Sequence, residues 1–247
     1  LYRVIVFYKP KVIHTHGNAG LFYGSLCFPL ALFLNIPLCH TFRGFNSNLS
    51  KWKSVILKLS ATLYKLASAN FIAVSDTEKA RIVESWGFMK KANLFVIHNG
   101  INIQNTVSKV GMRSLSKQRY KFISVARLSP QKGILDILIS LRKLMLQNVA
   151  FTYEVYGGQI EQDKQYVEEV KKFIVENKME NHVNLRGAVP NIGEKLSGYD
   201  IFLSHSVFEG LHTALIEASL AELPIVALAC EGSSDALVSD YEYAVEN

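Results

Sequence analysis

The sequence predicts an α/β protein whose parallel sheets carry helices on both faces. Short β-branched or aromatic segments alternate with helical patterns almost from end to end, as in "NFIAV" followed by "SDTEKARIVESW". This alternation is typical of right-handed β-α-β crossovers. A second observation divides the chain, because residues 104–121 are polar, rich in Ser and Lys, and without a clear period. We therefore predict a linker at 105–120 between domains at 1–104 and 121–247.

Nine strands and six helices follow from these patterns. The amino-terminal half has candidate strands at 12–15, 37–42, 70–74 and 94–98, and helices near 19–34, 51–68 and 76–87. The other half has candidate strands at 122–126, 151–156, 182–185, 201–204 and 225–227, and helices near 134–147, 163–177 and 213–221. One helix start has a clear signal, because Ser75 and Glu78 form the S-x-x-E pattern of a capping box.

Composition narrows the class of protein. Of 247 residues, 49% are hydrophobic and 19% are charged, which suits folded domains and excludes disorder and collagen. The net charge of +6, which we take to be spread along the chain, favours an anionic partner such as a nucleotide or a phospholipid surface. It gives no special support to nucleic acid. Cys27, Cys39 and Cys230 are odd in number and lack metal or redox spacing, which indicates reduced thiols and a cytoplasmic location.

An uncharged stretch at 21–39 raises the question of a membrane span, because its length is close to that needed to cross a bilayer. Gly24, Pro29 and Pro37 interrupt the stretch. A buried helix followed by a strand has the same hydropathy and tolerates these interruptions, so it is the favoured interpretation.

The helix predicted at 51–68 is basic and amphipathic. Trp52 and four lysines flank an apolar stripe formed by Val55, Ile56, Leu59, Leu63 and Leu66. Such a helix either covers a sheet with its lysines exposed or lies on anionic lipid. The second alternative predicts peripheral contact with the inner face of a membrane.

Cations and glycines follow several of the predicted strands. In "ARLSPQKG", Arg127 and Lys132 leave the carboxyl end of a parallel strand beside a helix N-terminus, an arrangement that suits a diphosphate. The alternative is a pair of ordinary loop charges. Gly157 follows the next strand, where the missing Cβ lets a ligand approach the backbone, and Arg186 lies at the end of the strand after that. Because these strand ends meet at one edge of a sheet, they predict a ligand crevice there.

The segment "EGLHTALIE" places one carboxylate before a helix start and another inside the helix. We expect Gly210 and Leu211 to begin this helix, so their free N–H groups suit an anion. Carboxylates repel phosphate, and sugar or ribose hydroxyl groups are the partners that Glu209 and Glu217 suit. Charge matching to the helix dipole explains Glu209 adequately, but it explains Glu217 poorly.

The order of these motifs resembles the retaining GT-B glycosyltransferases of glycosyltransferase family 4. The resemblance is carried by "RLSPQKG" and "EGLHTALIEASLAELPIVA", and by "KPKVIHTHGNAG", "NFIAVSDTEKARIVESWGF" and "VIHNGIN" nearer the start. Each motif is degenerate alone, but their joint order covers nearly the whole chain. The resemblance implies two Rossmann-like domains with parallel sheets facing a cleft, the acceptor-side domain at 1–104 and the nucleotide-sugar-binding domain at 121–247.

The resemblance also implies a reaction. Arg127 and Lys132 would bind the diphosphate of a nucleotide-sugar donor, Glu217 the ribose, and Glu209, the catalytic carboxylate, the hydroxyl groups of the transferred sugar. The acceptor hydroxyl would attack from the leaving-group side, so that the anomeric configuration is retained. Because two side-chain cations would stabilise the leaving group, neither a metal nor another cofactor is expected.

The remaining implied contacts complete the donor site and name the partners. The N–H groups of Gly210 and Leu211 would approach the sugar or phosphate, and Gly157 and Arg186 would border the donor. The acceptor would be a saccharide or a lipid-linked molecule, in the biosynthesis of a surface polysaccharide or glycolipid.

Some features depart from the family pattern. Arg43 stands in "TFRG" where many relatives carry a histidine near the transferred sugar, and an arginine cannot act as a general base at neutral pH. We expect His16 and Arg43 on the acceptor side and His14 in the core. Because the two histidines have no third ligand in view, we predict no metal site. The first strands and the final helix of the fold are also expected to be missing, which predicts poor transfer by residues 1–247. A non-catalytic nucleotide-sugar-binding relative and a GT-B-like sugar-nucleotide epimerase are the alternatives.

Overall fold

The computed structural model describes residues 1–45, 50–101, 119–230, 232–233, 235–237 and 244–245. The chain divides into two compact units, Leu1–Asn99 and Gly100–Asn247, and each holds a parallel sheet. The predicted α/β class with parallel sheets is therefore confirmed. The predicted linker at 105–120 lies almost wholly outside the described residues.

The first unit is a four-stranded sheet in the order β1-β2-β3-β4. Its strands are β1 (Ile13–His16), β2 (Leu38–Thr41), β3 (Asn70–Ala73) and β4 (Asn93–Val96), and its helices are α1 (Tyr2–Tyr8), α2 (Gly17–Ser25), α3 (Phe28–Phe33), α4 (Lys51–Leu66) and α5 (Asp76–Ser85). Each predicted strand is present with ends within two residues. Helix α1 is not predicted, because its run of aromatic and β-branched residues favours a strand.

The predicted helix at 19–34 is in fact two helices. Helix α2 ends at Ser25, and α3 begins at Phe28 with Pro29 in its first turn, where a proline removes no helical hydrogen bond. The uncharged stretch at 21–39 thus forms parts of two short helices and the start of β2. Within the described part of the chain, every helix is too short or too polar to cross a membrane.

The face of helix α4 that packs on the core is not the apolar stripe at 55–66. Its buried side consists of Leu57, Ser60, Ala61 and Tyr64. The reason is the close approach of α2, where a Cβ on Gly24 would lie 1.9 Å from the hydroxyl oxygen of Tyr64. Only small side chains fit beside such a contact, so the larger apolar residues of α4 lie outside, and Leu59 is 61% exposed.

A buried carboxylate joins three segments of the first unit. The Oγ atom of Ser75 caps α5 by accepting from the N–H of Glu78 at 3.1 Å, as the capping-box pattern predicts. The carboxylate of Glu78 is fully buried and accepts from the N–H groups of Gly44 at 2.7 Å, Phe45 at 2.8 Å and Val74 at 2.8 Å. It therefore fixes the turn after β2 against the start of α5.

The second unit is a six-stranded sheet in the order β10-β9-β8-β5-β6-β7. Its strands are β5 (Tyr120–Val125), β6 (Phe151–Tyr156), β7 (Val183–Gly187), β8 (Ile201–Ser204), β9 (Ile225–Leu228) and β10 (Ala244–Val245), and its helices are α6 (Ile134–Leu146), α7 (Lys164–Glu176), α8 (Gly193–Leu196) and α9 (Thr213–Leu220). The chain runs outward from β5 to β7 and then returns to β8 on the other side of β5. Ligands of open parallel sheets bind at the carboxyl ends of the strands beside such a reversal.

The two units differ in the sign of their charge. Residues 1–99 contain 12 Lys and Arg against 3 Asp and Glu, whereas residues 100–247 contain 15 against 18. The acidic residues of the first unit are Asp76, Glu78 and Glu84, so the first 75 residues contain none. The expectation of an evenly spread charge is therefore wrong, and an anionic partner has its strongest attraction to the first unit.

Candidate functional site

Two loops meet where the strand order of the second sheet reverses. One follows β5 and contains a short 3-10 helix, Pro130–Lys132, and the other follows β8 and leads to α9. The carbonyl of Gln131 accepts from the N–H of Val207 at 3.0 Å, and the Gln131 side-chain amide donates to the carbonyl of Phe208 at 2.9 Å. The two loops are thus hydrogen-bonded into one surface at the carboxyl edge of the sheet.

Lys132 and Glu209 are in direct contact across these loops. The ammonium group of Lys132 donates to Oε1 of Glu209, and the two side chains are only 14% and 13% exposed. The structure therefore brings together the residue predicted to bind phosphate and the residue predicted to bind the sugar. Because an ammonium group has three N–H donors, Lys132 can keep this contact and still donate to an anion.

Arg127 lies beside the loop that follows β6. Its Nη1 atom is 3.9 Å from Oδ2 of Asp163, and the Arg127 side chain is 47% exposed, so a ligand can reach it. Asp163 immediately precedes α7 and was missed in the sequence, where "EQD" has the composition of any polar loop.

Glu217 is a half-buried carboxylate inside α9. The helix begins at Thr213, as predicted for the helix near 213–221, whereas Gly210 and Leu211, which were also expected at its start, precede it. Glu217 lies just over one turn from the start of the helix. Burial raises the pKa of Glu217, and among the described residues none donates a hydrogen bond to its carboxylate. A ligand hydroxyl group would supply the missing donor.

Replacing Glu217 by glutamine should stabilise the ligand-free protein at neutral pH. Because the folded state raises the pKa of Glu217, the unfolded chain releases this proton at a lower pH, and stability falls as the pH rises through the raised pKa. Glu217→Gln removes that cost. We expect its Tm to exceed that of the wild type by a few degrees at about pH 7.5 and to match it at about pH 4. Glu180→Gln, at an exposed position of the same unit, is the control, and an equal effect of both substitutions would contradict the assignment.

A buried histidine supports the loop that carries Glu209. His212 is 4% exposed, and burial lowers its pKa to about 4 against the opposing charge of Glu209, so its ring is neutral at pH 7. The backbone N–H of His212 donates to the carbonyl of Gly232 at 3.2 Å. Gly232 has φ of 81°, and a Cβ there would lie 2.5 Å from the carbonyl oxygen of Glu209. The sequence did not single out His212, because residue type alone does not separate a supporting histidine from a ligand.

Two predicted donor ligands have other neighbours. A Cβ on Gly157 would lie 1.9 Å from the carbonyl oxygen of Ala126, so the approach of two backbone segments suffices to require glycine. Arg186 donates from Nη2 to Oε1 of Glu154 at 2.6 Å. Burial acts to raise the pKa of Glu154, but the hydrogen bonds from Arg186, Tyr199 and Tyr156 outweigh it and lower the value to about 2. Donor binding by Gly157 and Arg186 stays a prediction.

The two acceptor-side residues lie at the carboxyl edge of the first sheet. His16 ends β1, and Arg43 is two residues beyond the end of β2. His14, which we expected in the core, is exposed instead, because it points to the same face of β1 as His16. The described residues contain no group of three or more His, Cys, Asp or Glu side chains placed to hold a metal ion.

Comparison with known proteins connects both units to one class of enzymes. Residues 112–247 match the profile of the family described as Glycosyl transferases group 1, and residues 1–105 match that described as Glycosyltransferase Family 4. The crystal structure of HepE from Anabaena in complex with UDP-glucose superposes with a TM-score of 0.81 at 20% identity, over 100% of this chain and 67% of that one. This likeness shows that the two Rossmann-like units have the GT-B fold.

Curated relatives agree with these matches. The UDP-Gal:alpha-D-GlcNAc-diphosphoundecaprenol alpha-1,3-galactosyltransferase of Escherichia coli is 22% identical over 98% of this chain and 64% of its own length. The poly(ribitol-phosphate) alpha-N-acetylglucosaminyltransferase of Staphylococcus aureus is 26% identical over 63% of this chain and 30% of its own length. The chain thus spans less than two thirds of the length of either relative.

Proposed function

The chain belongs to the Glycosyl transferases group 1 family, and on that premise we propose that it transfers a sugar from a nucleotide-sugar donor to an acceptor with retention of anomeric configuration. The acceptor is a saccharide or a lipid-linked molecule, and the product belongs to a surface polysaccharide or glycolipid. The names of the two curated relatives, a galactosyltransferase and an N-acetylglucosaminyltransferase, support this chemistry.

The contact between Lys132 and Glu209 is the observation that carries the proposal. It lies where two loops meet at the reversal of strand order, which is the place where open parallel sheets bind nucleotides. A ligand that joins a sugar to a diphosphate needs a cation to bind its phosphate groups and a carboxylate to bind its sugar hydroxyl groups. Glu217, without a donor among the described residues, supplies a second carboxylate for the ribose.

The charge arrangement suits the bond that must break. As the bond between the anomeric carbon and the diphosphate oxygen opens, negative charge grows on the leaving group, and Arg127, Lys132 and the N–H groups of Gly210 and Leu211 stabilise it. The acceptor oxygen bonds to the anomeric carbon on the same face, and its proton passes to the departing phosphate. Glu209 positions the sugar through its hydroxyl groups. In this proposal the two side-chain cations take the part that a metal plays in other transferases.

A thermal-shift panel of nucleoside diphosphates and their sugar conjugates tests the donor site. One nucleotide family should raise the Tm, because a ligand at about 100 times its Kd stabilises the folded state by about 2.7 kcal/mol. Arg127→Ala should abolish that shift. Arg142→Ala, at an exposed position near the far end of α6, removes the same charge and should preserve it. A folded wild-type protein that responds to no nucleotide would contradict the proposal.

We also propose that α4 rests on an anionic membrane surface. Trp52 is 81% exposed, Leu59 61% and Leu66 70%, and four lysines lie on the same helix. Exposed apolar side chains flanked by cations favour the interface of a bilayer over water. The excess of basic residues in the first unit, with no carboxylate before Asp76, adds long-range attraction to anionic lipid.

Vesicle binding tests this contact. The protein should sediment with vesicles that contain phosphatidylglycerol and remain in solution with phosphatidylcholine alone. Leu59→Gln should weaken the binding about tenfold, because a buried leucine side chain contributes roughly 1.5–3 kcal/mol. Val175→Gln, at a site on α7 with the same 61% exposure, is the control. Equal sedimentation of the two variants would show that α4 is not the contact.

A further inference from the structure

We propose that the carboxyl edge of the first sheet binds a phosphate or diphosphate group of the acceptor through His14, His16 and Arg43. The inference rests on the proposed sugar transfer, and it specifies the chemical class of acceptor. The ligands proposed for the donor diphosphate, Arg127 and Lys132, lie in the second unit.

Two adjacent histidine side chains form the first part of this site. They lie two positions apart on β1, on one face of the strand, with ring centroids 4.2 Å apart, and both rings are exposed. Nε2 of His14 is 2.8 Å from Oγ1 of Thr41, which fixes the ring and leaves its Nδ1 atom for a ligand. A protonated imidazole donates from both ring nitrogens, so His14 can bond Thr41 through Nε2 and an anion through Nδ1, and His16 beside it can add a further donor.

Arg43 supplies the permanent positive charge. Its side chain is exposed, and its backbone neighbours Gly44 and Phe45 are held by the carboxylate of Glu78. Arg81 adds a hydrogen bond from Nη1 to the carbonyl of Phe45 at 2.8 Å. A guanidinium group binds phosphate through two parallel N–H donors, and a fixed turn reduces the entropy lost on binding.

Arg43 also acts on the histidines. The pKa of His14 is lowered first by burial and then by the charges of His16 and Arg43, so the guanidinium lies within electrostatic reach of the imidazole. Behind the strand, His40 is fully buried and bonded through Nδ1 to Thr15, and burial lowers its pKa to about 3. It therefore stays neutral and adds no charge to the site.

A helix N-terminus completes the edge. Helix α2 begins at Gly17, directly after His16, and no side chain caps it. Gly17 has φ of 65°, and the space where its Cβ would lie is open. Free N–H groups at the start of a helix add hydrogen bonds and a favourable dipole for an anion held by the neighbouring side chains.

The surrounding charges favour the same ligand. Residues 1–75 contain no carboxylate to compete for the cations. Of the nearest acids in sequence, Glu78 is buried with its oxygens occupied by backbone N–H groups, and Asp76 is 78% exposed at 3.9 Å from His98. The site therefore attracts both monophosphate and diphosphate groups, and it attracts the more highly charged diphosphate more strongly.

Ring signals of the histidines in proton–carbon NMR spectra test the proposal directly. The protein is first saturated with the nucleoside diphosphate identified by the thermal-shift panel, which blocks the donor site. It is then titrated with an octyl glycosyl diphosphate, with the matching octyl glycoside, and with a glycosyl diphosphate lacking the alkyl chain. We expect both diphosphates to move the His14 and His16 signals and to raise the pKa of His14, while the glycoside moves neither. A stronger response to the octyl compound identifies a lipid-linked source, and an equal response identifies a soluble one.

Two variants separate charge at this site from general attraction. Arg43→Gln should weaken diphosphate binding about tenfold, the effect of losing charge-assisted hydrogen bonds. Lys90→Gln removes the same charge from an exposed residue before β4, at the opposite edge of the sheet, and should leave the affinity unchanged. Equal losses in both variants, or histidine signals that do not move, would overturn the inference. That result is distinguishable from failure of the proposed function, because donor binding is measured beforehand and depends on Arg127.

Discussion

Replacing Glu209 by glutamine should lower sugar transfer by about 10²–10³-fold, the range observed when one preorganised polar group is removed from an active site. Nucleoside diphosphate binding should remain or become tighter. The reason is the contact between Glu209 and Lys132, since the substitution removes a negative charge beside the ammonium group that we propose to bind the phosphate. Donor turnover in the presence of acceptor and calorimetric titration with the diphosphate measure the two effects separately.

The control for this experiment is Glu180→Gln, which removes a carboxylate from an exposed position of the same unit. Unchanged transfer by Glu209→Gln would show that Glu209 does not hold the reacting sugar. A wild-type protein that binds the donor but transfers nothing would favour the non-catalytic alternative. Conversion of the donor to another sugar nucleotide without any acceptor would favour the epimerase.

Replacing Gly157 by alanine should strongly destabilise the second unit. The new Cβ would lie 1.9 Å from the carbonyl oxygen of Ala126 and 2.4 Å from its carbon. Backbone movement cannot relieve the overlap easily, because the N–H of Gly157 donates to the carbonyl of Gly187 at 2.9 Å. We expect a loss of about 3 kcal/mol in the free energy of unfolding, which lowers the Tm by about 10 °C.

The adjacent residue provides a matched control. A Cβ on Gly158 would meet its nearest neighbour, the Cβ of Ala188, at 3.9 Å, which is ordinary van der Waals contact. Gly158→Ala should therefore melt close to the wild type in the same calorimetric scan. If the two substitutions had equal effects, the backbone contact at Ala126 would not be what requires glycine at position 157. Because that Cβ would also lie 2.9 Å from the backbone nitrogen of Arg127, Gly157→Ala should weaken donor binding as well.

The class of fold could be predicted from the sequence because alternation of strands and helices is a local property. Burial of one helix face depends on the partner, and this is why the sequence left two alternatives open for α4. The most apolar stripe of α4 includes Leu59, yet the buried face is the one around Ala61 and Tyr64. That face is buried because α2 approaches it closely at Gly24. Hydrophobicity ranks the residues of a helix, but the shape of the neighbouring helix decides which face fits.

The candidate site was predictable in its parts and not in its assembly. Residue types at strand ends identified Lys132 and Glu209, which lie 77 positions apart in the chain. Their contact depends on β8 pairing with β5, a long-range choice that no local pattern contains. The same limit applies to Asp163, whose proximity to Arg127 follows from the pairing of β5 with β6.

The buried carboxylate of Glu78 has a consequence for the motions of the first unit. It binds the amides of Gly44 and Phe45 in one loop and that of Val74 about thirty residues later. None of these amide protons can exchange with solvent until the carboxylate is released, and that requires the first turn of α5 to open. The turn that carries Arg43 therefore belongs to the same cooperative opening unit as α5, and its lifetime is set by that helix rather than by its own few residues.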